Sequence, residues 1–139
     1  MTTSRQIDPE LPVVEFRDGI LGFPGLTKFV LVRLEDSGLL LDLQSVEDER
    51  VSFIVVPSAA FFPDYAPEID DTVAARLGIV ETDGDALVPL VLLVVTVGDT
   101  LGESTANLMA PIVVNSAEHV AAQVVLDDHD LSLRAPLIP

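Results

Sequence analysis

The sequence predicts a mainly β protein: a compact, antiparallel β-barrel-like or sandwich fold with one short helix at about residues 70–78. Three observations carry this reading. Short apolar, β-branched runs recur along the chain, each punctuated by turn residues. The run Lys28 to Leu34 alternates strictly, with Phe29, Leu31 and Arg33 on one face and Val30, Val32 and Leu34 on the other. Helical start and stop signals are found together in a single window, Asp70 to Gly78. At 139 residues the chain is expected to form one domain, 1–139. A domain of that size buries roughly two thirds of the surface its unfolded chain exposes.

Val13 to Phe16 reads as extended and stops at the turn signal Arg17-Asp18-Gly19. Ile20 to Leu26 is broken by Gly22-Phe23-Pro24-Gly25, and Glu35-Asp36-Ser37-Gly38 makes the next turn. Leu39 to Ser45 and Val51 to Val56 flank the acidic turn Glu47-Asp48-Glu49-Arg50, which predicts a hairpin. Pro57 to Pro67, with three prolines, reads as a loop. The helix starts at Asp70 or Asp71, buries Val73, Ala74 and Leu77, and stops at Gly78; it is short enough to need the sheet to hold it. Leu87 to Val97 is too continuous and β-branched for an amphipathic helix, so it predicts a strand buried on both faces, with Pro89 at its beginning. Ala110 to Asn115 and Val120 to Leu126 follow as strands separated by Ser116 to His119. The tail 127–139 is expected to be loosely ordered, as are the first few residues.

Composition narrows the function. Seven Lys and Arg stand against 23 Asp and Glu, a net charge of −16. Such a surface repels nucleic acid and anionic lipid and attracts basic partners at long range, although adaptation to salt produces the same composition. The absence of cysteine removes disulfides, thiolate metal sites and cysteine nucleophiles. The N-terminus carries no apolar signal-like stretch, and the longest apolar run falls well short of the ~20 residues that span a bilayer. The expectation is a cytoplasmic protein with no membrane partner.

Motifs for catalysis are missing: no phosphate loop, dinucleotide-binding turn or nucleophile elbow occurs. No catalytic residue, metal or cofactor is therefore expected. Asp127-Asp128-His129-Asp130 has metal-ligand residue types, but neighbours on an extended chain point to opposite faces and do not converge on one ion. His119 falls in a turn, as an ordinary surface histidine. Glu47, Asp48 and Glu49 lack the burial that separates the pKa values of an acid–base pair. At an exposed tip they suit a contact with a basic partner instead.

Two segments are unusual. Phe61-Phe62-Pro63-Asp64-Tyr65 gathers two phenylalanines and the only tyrosine in one Pro-bounded loop. Either the loop folds back over the barrel end with its rings in the core, or some rings stay out as contact anchors. In Thr105-Ala106-Asn107-Leu108-Met109-Ala110-Pro111, Asn107 and Pro111 both oppose a regular strand. That pattern predicts an irregular junction or an edge open to pairing.

With these blocks in order, the sequence resembles the FliW family of flagellar assembly factors. The resemblance runs through Phe16 with Gly19 to Leu26, Leu43 to Asp48, Phe53 to Pro57, Phe61 to Tyr65, Thr105 to Asn115, Gln123 to Leu126 and Leu133 to Leu137. Departures from the family's usual pattern fall at Asp42, Val56, Leu131 and Ala135. The resemblance implies a β-barrel-like fold and a non-catalytic regulator that binds flagellin and CsrA, the RNA-binding repressor of flagellin translation. It implies that the protein relieves that repression when flagellin export frees it, acting beside the RNA site. On that basis the expected partner-binding residues are Glu47, Asp48, Phe61, Phe62, Asp64, Tyr65, Asn107, Met109 and Pro111. The competing readings are a chaperone-like factor serving flagellin alone and, more remotely, an enzyme, for which the motifs assemble no polar pocket.

Overall fold

The structure is a computed structural model, which describes residues 13–20, 22–67, 69–78, 81–82, 85–86, 90–116, 118–126 and 131–137, with backbone alone at 81, 82, 85, 86 and 101. Strands β1 (Val13–Phe16), β2 (Lys28–Arg33), β3 (Leu41–Ser45) and β4 (Ser52–Pro57) come first. Helices α1 (Ser58–Phe61) and α2 (Asp71–Arg76) follow, then β5 (Glu81–Thr82), β6 (Asp85–Ala86) and β7 (Leu90–Thr96). A 3-10 turn at Leu101–Glu103 precedes β8 (Thr105–Ala106), β9 (Ile112–Asn115), β10 (Val120–Gln123) and β11 (Ala135–Pro136).

The strand order β7-β4-β3-β2-β1-β10-β9, with β9 pairing back onto β7, closes a seven-stranded barrel. Strands that alternate in direction close on themselves only in even number. Seven therefore leave one parallel seam, and it lies between β1 and β10, with Glu15 opposite Val120 and Phe16 opposite Ala121. This qualifies the antiparallel expectation at one junction. On one edge of β7, Leu90 to Leu92 pair with β9 while Val95 and Thr96 pair with β8, which carries β11 outward. β5 and β6 form a separate two-stranded hairpin.

Alternation fills the barrel. Phe16, Phe29, Leu43, Val55, Leu92 and Ile112 point inward and are essentially fully buried, with the Phe16 and Phe29 rings edge to face at 5.3 Å. The outward face is buried too. α1 and the aromatic loop cover Val56, Leu93 and Val95, while α2 lays Val73 and Leu77 over Val113, Val120, Val124 and Leu126. This double cover explains why the run ending at Val97 reads as continuously apolar: Leu92 and its neighbour Leu93 are both fully buried, on opposite faces.

The helix window holds. Asp70 caps α2 by accepting the Thr72 N–H at 2.8 Å, and Gly78 ends it at φ +72°. The Asn115 amide donates to the last-turn carbonyl of Leu77 at 2.6 Å. Three expectations are corrected. Pro57 to Pro67 is not all loop, because Ser58–Phe61 makes one helical turn, closed by the Phe62 N–H on the Ser58 carbonyl. A single turn does not nucleate unaided; docking of Phe61 on the outer cluster holds it. β3 starts at Leu41 rather than Leu39, because the Glu35 carboxylate captures the N–H groups of Leu39 and Leu40. Residues 131–137 of the tail are packed, with Ala135 and Leu137 buried. The stretch Asp127 to Asp130 and Pro89 lie outside the described residues.

Candidate partner-binding surface

At the β3–β4 tip, the buried Ser45 hydroxyl accepts the N–H groups of Glu47 and Asp48 at 3.1 and 3.0 Å. The Glu47 carboxylate turns back onto the chain and accepts the N–H groups of Thr27 at 2.7 Å and Lys28 at 3.0 Å. Those bonds, the Thr27 one foremost, hold its carboxyl below the usual range. Asp48 is engaged by the Arg50 guanidinium at 3.0 and 3.1 Å, which lowers its pKa in the same way. Glu47 thus braces the hairpin against the β1–β2 connection and Asp48 ties the tip to itself through Arg50, both while remaining at the surface.

The aromatic loop takes both of the alternatives open to it. Phe61, Phe62 and Tyr65 pack on the outer cluster yet stay half-exposed, and Asp64 stands out at the surface. The Tyr65 hydroxyl donates to the Leu108 carbonyl at 2.6 Å, and burial pushes the phenol up to about 12. This bond ties the loop to the irregular segment 107–111. There the Asn107 side chain accepts the Met109 N–H at 2.9 Å, forming a local turn. Met109 is half-buried, and its carbonyl receives the Leu126 N–H while that of Pro111 receives the Val124 N–H. Pro111 itself is less than 2% exposed, so it presents no surface to a partner.

The structure brings Phe61, Phe62, Asp64, Tyr65, Asn107 and Met109 to one side of the barrel but leaves Glu47 and Asp48 apart. The hairpin tip precedes β4 and the aromatic loop follows it; six extended residues separate the two by roughly 20 Å.

A wide groove of about 1110 Å³ opens beside the aromatic loop, between Tyr65, the start of α2 and the chain at Val124 to Leu126, with Leu131 completing it. Asp64, Asp70 and Asp71 line it, and among the described residues no Lys or Arg does. Sequence reasoning missed this groove: Asp70 and Asp71 read as helix caps, and Val125 read as one residue of a strand. A smaller cavity of about 120 Å³ lies at the other end of α2 beside Arg17, Asp18 and Arg76, where Arg76 pairs with Asp18 at 3.1 Å. Among the described residues no group of His, Asp or Glu is placed to hold a metal ion. No described helix is long and apolar enough to cross a membrane.

Comparison with known proteins places this architecture. The FliW protein family model matches residues 2–137. The flagellar assembly factor FliW of Bacillus licheniformis is 39% identical over 95% of this chain and 89% of its own length. That of Geobacillus kaustophilus is 35% identical over 94% and 87%, and that of Clostridium novyi 36% over 92% and 87%. A crystal structure of the flagellar assembly factor FliW superimposes with a TM-score of 0.82 at 30% identity, covering 97% of this chain and 91% of that one. The fold, the ordered sequence blocks and the match along nearly the whole chain agree: this protein belongs to the FliW family.

Proposed function

We propose that this chain is a non-catalytic, cytoplasmic regulator of flagellar assembly that binds flagellin and the translational repressor CsrA, and that by holding CsrA it lifts the repression of flagellin translation. The observation that carries the reading is the family match over residues 2–137, with relatives that bear the name of flagellar assembly factor. The charge of −16 supports it, since a basic RNA-binding protein is drawn to such a surface and RNA itself is repelled.

Calorimetric titration with CsrA, repeated with flagellin already bound, tests the switch. Tight CsrA binding that bound flagellin abolishes is the expected result. CsrA binding that is absent while flagellin still binds reduces the protein to a flagellin-only factor. Glu47 and Asp48 are poor choices for mapping the contact, because reversing either charge also removes hydrogen bonds that shape the hairpin.

A further inference from the structure

We propose that the groove between the aromatic loop, the start of α2, residues 124–126 and Leu131 docks a positively charged segment of a partner protein, one that carries an apolar face. This rests on the reading of the chain as a protein-binding regulator and names the surface used.

Four features converge there. The space, about 1110 Å³, exceeds the ~300–1,000 Å³ of ordinary small-molecule pockets and suits a polypeptide segment. Its lining mixes polar and apolar groups, with Tyr65, Ile69 and Leu131 partly exposed among the latter. Val125 is 61% exposed between two buried neighbours, Val124 and Leu126, whose N–H groups are tied inward to Pro111 and Met109. An exposed valine alone is ordinary, but one set in a concavity with Tyr65, Ile69 and Leu131 offers an occupant apolar contact.

Charge selects the occupant. Asp64, Asp70 and Asp71 rim the groove with no cation among the described lining residues. Asp70 is committed to capping α2, whereas Asp64 and Asp71 have no hydrogen-bond or ion-pair partner among the described residues. Apolar side chains interleaved with carboxylates, with no cation among the described lining residues, match a segment whose Lys or Arg residues flank apolar side chains.

The test measures CsrA and flagellin binding to the full chain by calorimetry at two salt concentrations. Two groove variants are compared, Val125→Glu and the pair Asp64→Lys with Asp71→Lys. A control pair, Asp36→Lys with Glu118→Lys, makes the same change in net charge at exposed positions elsewhere. Thermal unfolding establishes that each variant folds. Both groove variants are expected to weaken CsrA binding by more than about tenfold, the lysine pair also flattening its salt dependence, while the control pair changes affinity by less than about threefold. Groove variants that bind CsrA as the control pair does overturn the proposal and leave the function standing. Loss of flagellin binding alone overturns the positively charged occupant. A wild-type chain that binds neither protein overturns the functional reading and the groove with it.

Discussion

Gly19 stands at φ +74°, and a Cβ there would lie 2.6 Å from Pro24 Cα and 2.7 Å from two backbone carbonyl oxygens. No side chain can yield to relieve such contacts, so Gly19→Ala is expected to cost about 3 kcal/mol in urea unfolding. Glu35 shows the opposite use of a residue, a side chain standing in for backbone structure. Its carboxylate accepts from the Ser37 hydroxyl and from the N–H groups of Ser37, Leu39 and Leu40, and is held down to about 2 from 4.5. A depressed pKa contributes stability that is full above the unfolded value and lost as pH falls through the folded one. Glu35→Gln should therefore lower the melting temperature at pH 7, with the gap to wild type closing between pH 4.5 and about 2. Asp42 is the costly exception. One oxygen accepts the Gln44 amide at 2.7 Å and the other has no partner among the described residues, though the residue is only 8% exposed. Replacing both residues by Leu removes that unmet group and is expected to raise stability by about 1–2 kcal/mol.

Among elements, α1 and the aromatic loop depend most on the rest of the molecule. One helical turn and a Pro-bounded loop have little stability of their own; they are held by Phe61 and Phe62 on the outer cluster and by the Tyr65–Leu108 bond across 43 residues. Tyr65→Phe keeps the ring and strands a half-buried carbonyl, so a loss of about 1–2 kcal/mol is expected, with hydrogen exchange rising in both 58–65 and 107–111. The hairpin, α2 and β7 were legible because each carries its own signal: an acidic turn between alternating runs, a cap with a stop glycine, and a continuous β-branched stretch. The groove was not, because its walls come from residues 64–67 and 69–72 on one side and 124–126 with Leu131 on the other, and no local pattern relates them.

For the whole molecule, closure and charge dominate. Closing the barrel removes the edges of its seven strands, leaving β8 and β11 as the extension beyond it. A charge of −16 repels itself at low ionic strength, where the Debye length is ~30 Å at 0.01 M salt, and is screened when it falls to ~10 Å at 0.1 M. Melting curves should accordingly move up by a few degrees, about 1 kcal/mol, between 10 mM and 0.1 M sodium chloride. Association with a basic partner should run the other way and slow with added salt.

By itself the sequence determined the strand pattern, the one capped helix, the family resemblance and the net charge of −16. These are written locally, in period, turn chemistry and composition. Only the tertiary structure decided the parallel seam between β1 and β10, the bracing of the hairpin by Glu47, the burial of Pro111 and the groove under Tyr65. Each is made by residues tens of positions apart, and their meeting depends on how the barrel closes rather than on any neighbour in the chain.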